Sequence, residues 1–145
     1  MNQKILKKVQ LNKLKNIFKN MCGMELVELL DMDEEKVYEI KSFLRDMSKY
    51  SYLRIASIES NSNKAFSNWV IENLKFLKNC KEIIAIIDNC NMWLCRVKIV
   101  DINLSLEELW EMGDICFFEM QNNAGVYIGI DENEFYITVK FKNKM

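Results

Sequence analysis

The spacing of hydrophobic residues changes along the chain and divides it into a mainly helical first half and a strand-rich second half. Apolar positions in the first half recur mostly at the 3.6-residue period of a helix. Residues 52–58 are the exception, because they alternate and therefore indicate a strand. The predicted helices are Lys4–Asn20, Met24–Asp31, Glu34–Lys49 and Lys64–Asn79.

From residue 82 onwards the apolar positions either form a continuous run or alternate, as they do in strands that are buried on both faces or on one face. Connections between these runs are short, which favours antiparallel neighbours. We expect a meander of about five strands here. The predicted strands are Glu82–Ile87, Met92–Val100, Asp114–Met120, Val126–Ile130 and Glu134–Phe141.

One short helix is expected within the strand-rich half, at Ser105–Met112. Ser105 and Glu108 have the spacing of a capping box, and Gly113 is placed to end the helix. The predicted fold class is therefore α+β, with N-terminal helices packed on a mainly antiparallel sheet of about five to six strands and one inserted short helix. At this length the chain is expected to form a single domain over residues 1–145.

Composition is that of a globular protein, with 50% hydrophobic and 28% charged residues. Five cysteines are scattered without a CxxC pair, which favours reduced thiols and a cytoplasmic location. No apolar run is long enough for a transmembrane helix, and we recognise no secretory signal.

Several classes of catalytic and metal-binding site are excluded because the chain lacks the residues they require. The chain has no histidine, which removes Ser–His and Cys–His nucleophile pairs and histidine-ligated metals. It has no Walker loop and no GxGxxG, and the cysteine spacings differ from those of zinc sites. We therefore predict no enzyme activity, no metal and no cofactor. A carboxylate pair such as Glu119 with Asp131 remains open as an acid–base alternative.

Charge is unevenly distributed although the formal net charge is only −1. Acids concentrate in the last third of the chain, and if its loops gather at one edge of the sheet they form a negative surface that attracts a basic partner. Tyrosines among these acids are expected to be the aromatic anchors. The predicted partner-binding residues are Glu107, Glu108, Glu111, Asp114, Glu119, Tyr127, Asp131, Glu132, Glu134 and Tyr136.

The first helix has the opposite sign, because residues 1–20 hold six lysines and no acid. One interpretation is a nucleic-acid or anionic-membrane adaptor that works through these lysines. The other is a surface helix whose lysines are simply solvated.

Two acidic segments are the basis of a resemblance to a known class of protein. They are residues 105–114, SLEELWEMGD, and residues 129–136, GIDENEFY. With them, this small chain resembles the immunity proteins of bacterial toxin–immunity pairs, including contact-dependent inhibition systems. The resemblance implies a one-to-one inhibitor that covers the active site or an exosite of a cognate toxin, often a nuclease. Nucleic acid is not a partner in this interpretation. A phage-encoded inhibitor of host defence is an alternative with the same binding logic.

Overall fold

A seven-stranded antiparallel sheet forms the centre of the described structure. The computed structural model describes residues 2–49, 54–62 and 65–142. The strand order across the sheet is β1-β4-β3-β5-β6-β7-β2, so the two strands from the first half of the chain form its edges. The strands are β1 (Met24–Asp31), β2 (Arg54–Glu59), β3 (Glu82–Ile86), β4 (Trp93–Ile99), β5 (Ile115–Glu119), β6 (Ala124–Asp131) and β7 (Glu134–Phe141).

Helices cover both faces of this sheet, and the predicted α+β class is confirmed. The α-helices are α1 (Gln3–Lys19), α2 (Tyr38–Arg45), α3 (Phe66–Asn73) and α4 (Ile102–Trp110), with short 3-10 helices at Glu35–Val37, Met47–Lys49 and Lys75–Asn79.

Strand β3 shows how the two faces are organised, because its alternate side chains belong to different cores. Ile83 and Ala85 pack with the core beneath α1, α3 and α4. Ile84 packs with a smaller core beneath α2. The continuous apolar run that predicted a strand buried on both faces is therefore explained by helices on each side.

The prediction of a helix at Met24–Asp31 is wrong, because this segment is the edge strand β1. Its pairing with β4 shifts between Leu26 and Glu28, which marks a β-bulge. Met24, Leu26 and Leu29 reach the same core although their spacing is first two and then three residues. The extra residue of a bulge disturbs the two-residue period, and the resulting spacing resembles that of a helix.

Other boundaries also differ from the predicted ones. The predicted helix Glu34–Lys49 is divided into α2 and two flanking 3-10 turns, and Lys64–Asn79 is divided at Leu74, whose ψ of 72° is not helical. Residues 52–53 of the predicted strand 52–58 and residues 63–64 lie outside the described residues.

The capping box predicted at Ser105 is also wrong. The helix begins one turn earlier, at Ile102, and its N-cap is Asp101, whose side chain accepts a hydrogen bond from Leu104 N at 3.1 Å. Ser105 is fully buried inside α4, where its hydroxyl lies 2.7 Å from the carbonyl oxygens of Gly23 and Asp101. Gly113 follows the helix with φ 127°, a conformation that favours glycine.

The connection through α4 also changes the predicted meander. Strands β4 and β5 both pair with β3, one on each side and both antiparallel to it. They are therefore parallel to each other, and α4 lies in the crossover between them. Such a crossover needs about a dozen residues or more, and the segment 100–114 supplies them.

Helix α1 is attached to the sheet by specific polar contacts as well as by buried apolar side chains. Trp93 Nε1 donates to the Lys7 carbonyl at 2.9 Å, and Met92 N donates to Gln10 Oε1 at 2.9 Å. Lys7 also pairs with Asp31 at 2.6 Å and with Asp33 at 2.9 Å. Burial is the largest single effect on Asp31 and opposes its charge, but the hydrogen bonds from Lys7 and the Asp33 N–H, together with the charges of Lys7 and Lys41, outweigh it and lower the Asp31 pKa. The helix is therefore an integral part of the fold.

We predict that Gln10→Ala lowers the free energy of unfolding by about 1–3 kcal/mol, because it leaves the Met92 N–H without its partner in a partly buried contact. Urea unfolding followed by circular dichroism measures this change. Gln3→Ala on the same helix is the matched control, since Gln3 is exposed and its removal is expected to change stability by less than about 0.5 kcal/mol. Equal effects of the two substitutions would contradict the proposed contribution of the Gln10 contact.

Candidate functional site

Antiparallel pairing brings the acidic loops of the chain to one end of the sheet. Away from the β1 edge, the residues at this end follow β2, β3 and β6 and precede β5 and β7. The gathering of loops on which the predicted negative surface depends is therefore observed. We call this region the acidic end; its exposed carboxylates are Glu59, Asp88, Glu111, Asp114, Asp131, Glu132 and Glu134.

Three of these acids form a row across neighbouring strands. Asp131 of β6 is the register partner of Glu134 in β7, and Glu134 is the register partner of Glu59 in β2. Register partners project from the same face of a sheet with Cβ atoms about 4.5–5.5 Å apart. The acidic row, as we name Asp131, Glu134 and Glu59, therefore places like charges side by side, an arrangement that destabilises a sheet.

A cleft of about 730 Å³ lies where the β6–β7 hairpin meets the turn after β2. Ser60 N donates to the Asn133 carbonyl at 2.7 Å and so ties the turn to the hairpin. All the residues that line the cleft are of polar type, and four of them offer carboxylates to a ligand. The lining residues are Glu59, Ser60, Asn61, Asp131, Glu132, Asn133 and Glu134.

Glu132, at the tip of the hairpin, has a strained backbone. Its φ is 56°, in the left-handed region that a side chain with Cβ disfavours. Asn89 and Asn123 also have positive φ, but asparagine tolerates this conformation better. The chain therefore places a glutamate where glycine or asparagine would be the more stable choice.

Two tyrosines and an arginine lie beside the acidic row on the same face. The Tyr127 and Tyr136 rings are stacked with centroids 6.1 Å apart, over Gly129, where an added Cβ would come within 2.7 Å of Tyr136 Oη. The Arg54 guanidinium lies 3.7 Å from the Tyr136 ring centroid and 3.3 Å from Asp131 Oδ2. Both tyrosines are half-buried, so part of each ring is accessible.

Tyr127 also links this aromatic group to the start of β5. Its hydroxyl donates to Asp114 Oδ2 at 2.6 Å. Burial, with a further contribution from Asp114, raises the pKa of Tyr127 above its usual value. The phenol therefore stays protonated and fixes the Asp114 side chain in place.

Three of the predicted partner-binding acids instead bind the backbone of their own chain. Glu107 accepts from Ser67 N at 3.0 Å in the first turn of α3. Glu108 accepts from Cys22 N at 2.9 Å and Gly23 N at 2.8 Å. Glu119 is fully buried and accepts from Gln121 N, Asn122 N and the Asn122 side-chain amide at 2.8–2.9 Å. These three carboxylates hold loops in place within the fold.

The predicted acids and tyrosines are thus only partly brought together. Glu111 is exposed at the end of α4, and Asp114, Tyr127, Asp131, Glu132, Glu134 and Tyr136 lie around the tyrosine pair and the hairpin. Sequence reasoning missed Arg54 and Glu59, because the pairing of β2 with β7 joins segments far apart in the chain. Trp69 is buried, and Trp110 is half-buried and stacks on Phe66 with centroids 4.7 Å apart.

The carboxylate pair considered for acid–base catalysis does not form. Glu119 pairs with Ala124 at the beginning of β6, and Asp131 lies at the end of that strand. At about 3.4 Å per residue the two positions are about 24 Å apart. Among the described residues no three Cys, Asp or Glu side chains are grouped so as to hold a metal ion.

The thiols are mostly enclosed. Burial raises the pKa of Cys80, Cys95 and Cys116 to about 12, and it also raises that of Cys90. These four are therefore poor nucleophiles at neutral pH. Cys22 is exposed.

Comparison with protein-family models, curated proteins and solved structures found no match to this chain. None of the helices in the described part of the chain combines the length and the apolar character needed to span a bilayer. The acidic end is therefore the feature of this protein that points most directly to a function.

We predict that Glu119→Gln lowers the free energy of unfolding by about 2 kcal/mol. The NH₂ group of the glutamine cannot accept a hydrogen bond, so one of the backbone N–H groups of Gln121 and Asn122 would face a donor instead of a carboxylate oxygen. Chemical denaturation measures the loss. Glu111→Gln is the control, since Glu111 is exposed and the same change of charge there is expected to shift stability by less than about 0.5 kcal/mol. A Glu119→Gln protein as stable as the control would show that the buried hydrogen bonds contribute little.

Proposed function

We propose that this protein is a protein-binding inhibitor of the immunity type, which acts in the cytoplasm and neutralises a cognate bacterial toxin. It covers the active site or an exosite of that toxin with the corner formed by the acidic row, Glu132 and the tyrosine pair. The observation that carries the proposal is the acidic row, in which Asp131, Glu134 and Glu59 are adjacent across three strands.

The acidic row destabilises the free protein, whereas it would stabilise a complex with a basic surface. Like charges at directly opposed positions destabilise a sheet. Within the row Asp131 pairs with Arg54, across a distance of 3.3 Å. Residues that weaken the fold are typical of binding sites, because stability and function compete there. A partner rich in lysine and arginine, such as a protein that binds nucleic acid, would neutralise these carboxylates.

The tyrosines and Arg54 would contribute binding free energy that charge alone does not provide. Binding free energy in protein interfaces concentrates in Tyr, Trp and Arg side chains that become desolvated. Tyr127 and Tyr136 are held by their stacking and by the hydrogen bond to Asp114, so little conformational freedom is lost when a partner covers them. The surrounding carboxylates would then raise the association rate and select for a basic partner.

The direct test uses the toxin domain encoded by the neighbouring upstream reading frame. We expect this chain to protect cells that express that domain and to bind it with 1:1 stoichiometry in calorimetry. The triple variant Glu59→Gln, Asp131→Asn and Glu134→Gln is expected to bind about 100-fold more weakly at moderate salt, equivalent to about 2.8 kcal/mol. Protection is expected to fall with it.

The matched control removes the same number of charges from exposed acids on or just after β1, at the opposite edge of the sheet: Glu25→Gln, Glu34→Gln and Glu35→Gln. We expect this control variant to bind and protect like the unmodified protein. The proposal is wrong if the upstream frame encodes no toxic domain, if the unmodified chain does not bind that domain, or if both triple variants bind equally well.

The strained tip of the hairpin gives a second prediction. Glu132→Gly is expected to raise the free energy of unfolding by about 1 kcal/mol, because glycine adopts a positive φ without steric penalty. The same change is expected to weaken toxin binding, because it removes a carboxylate from the cleft. Asn89→Gly, at another position of positive φ, is the control and is expected to gain less stability. Unchanged stability and unchanged affinity of Glu132→Gly would both count against a functional reason for glutamate at this position.

A further inference from the structure

Helix α1 carries a stripe of unpaired lysines along an exposed flank. Lys4, Lys8, Lys15 and Lys19 are separated by four, seven and four residues, and at 3.6 residues per turn this spacing places them in one line. All four are exposed, and within the described residues none has an ion-pair partner. We call these four residues the lysine stripe.

Lys7 shows that the stripe is distinct from the lysines that hold the fold. It is the α1 lysine that forms ion pairs, with Asp31 and Asp33, and it lies on the side of the helix that faces the sheet. The stripe lysines therefore have no evident role in holding α1 on the sheet. The stripe extends for about 22 Å at 1.5 Å per residue, which equals about six base-pair steps of a duplex.

We propose that the lysine stripe of α1 binds the phosphate backbone of duplex nucleic acid. This binding activity goes beyond inhibition of a toxin and is independent of the acidic row. Helix α1 packs on β1 and β4, at one edge of the sheet, whereas the acidic row spans β6, β7 and β2 at the other. With neighbouring strands about 4.8 Å apart, the two edge strands are separated by about 29 Å.

The chemistry of the exposed face favours phosphate over the alternatives. An interfacial membrane helix needs an apolar face, and the apolar face of α1 is buried through Leu14 and Phe18. Ile5 and Val9 are the large hydrophobic residues that α1 exposes. Single-stranded binding uses aromatic side chains as stacking platforms, and the aromatic residue of α1, Phe18, is 4% exposed. The stripe lysines, with Asn12 and Asn16 between them in the sequence, suit a phosphate backbone, which proteins contact through charge and hydrogen bonds.

Acids near the stripe leave most of its charge uncompensated. Glu28 binds Arg96 at 2.9 Å, and Asp31 and Asp33 bind Lys7. Glu25 lines a shallow depression of about 340 Å³ together with Lys15 and Lys19, without an ion pair to either. The positive potential along α1 is therefore reduced mainly near its C-terminal end.

The test is fluorescence anisotropy with a labelled 26-base-pair DNA duplex of mixed sequence at several salt concentrations. Four phosphate contacts predict a slope of about −3.6 in a plot of log K against log salt. Affinity is then expected to fall about 150-fold between 50 and 200 mM salt. The variant with Lys4, Lys8, Lys15 and Lys19 all changed to Gln is expected to lose this binding at 50 mM salt.

The matched control changes the exposed lysines Lys75, Lys78, Lys81 and Lys98 to Gln and lowers the net charge equally. We expect it to keep at least a third of the duplex affinity. The acidic-row variant is expected to bind the duplex at least as tightly as the unmodified chain, so failure of the toxin proposal leaves this one testable.

Three results would overturn the proposal: equal loss of binding in the two lysine variants, tighter binding to single-stranded than to duplex DNA, and tighter binding to phosphatidylserine vesicles than to the duplex. Absence of duplex binding by the unmodified chain at 25 mM salt would also refute it.

Discussion

Burial of strand β3 on both faces is the constraint on which the rest of the structure depends. Ile83 and Ala85 on one side and Ile84 on the other must all be removed from water, so helices are needed on both faces of the sheet. Helices α1, α3 and α4 cover one face. On the other, α2 and the 3-10 turn after it reach β6 at Gly125, where an added Cβ would clash with Phe43 and lie 3.1 Å from Met47 Sδ.

The limited cover on the α2 side explains why a surface remains available at the acidic end. Phe43 and Met47 sit over the beginning of β6, whereas Gly129 and the tyrosine pair lie towards the end of that strand. Because no large side chain at position 129 separates them, the Tyr127 and Tyr136 rings close over the sheet themselves. The half-buried rings and the acidic row are therefore what the fold leaves uncovered where α2 stops.

The edges of the sheet show how far the sequence allowed the fold to be predicted. Strands β3 to β7 were predictable because each keeps its alternation or its continuous apolar run. Strand β1 was not, because the bulge after Leu26 gives its apolar residues a mixed spacing. The position of β2 beside β7 depends on pairing between distant segments, which no local period encodes, and the Glu59 end of the acidic row was missed with it.

The prediction of the site residues failed for a different reason. Residue type identified acids that a partner can contact, but Glu107, Glu108 and Glu119 accept hydrogen bonds from backbone N–H groups of turns and helix starts. For Glu107 and Glu108 those groups lie far away in the chain, so spacing could not reveal them. Glu119 binds the turn that directly follows it, a local arrangement that the capping and turn patterns used for prediction do not describe.

Two surfaces of opposite sign can coexist on a chain whose net charge is −1 because the sheet separates them. The edge strands are about 29 Å apart, and at physiological ionic strength the potential of an exposed charge decays over a Debye length of about 8 Å. The fields of the lysine stripe and of the acidic row are therefore largely screened from each other, and neither cancels the other at its own surface. Net charge consequently says little about the partners of this protein, whereas the strand order, which assigns each charge to an edge, determines which partner each surface can attract.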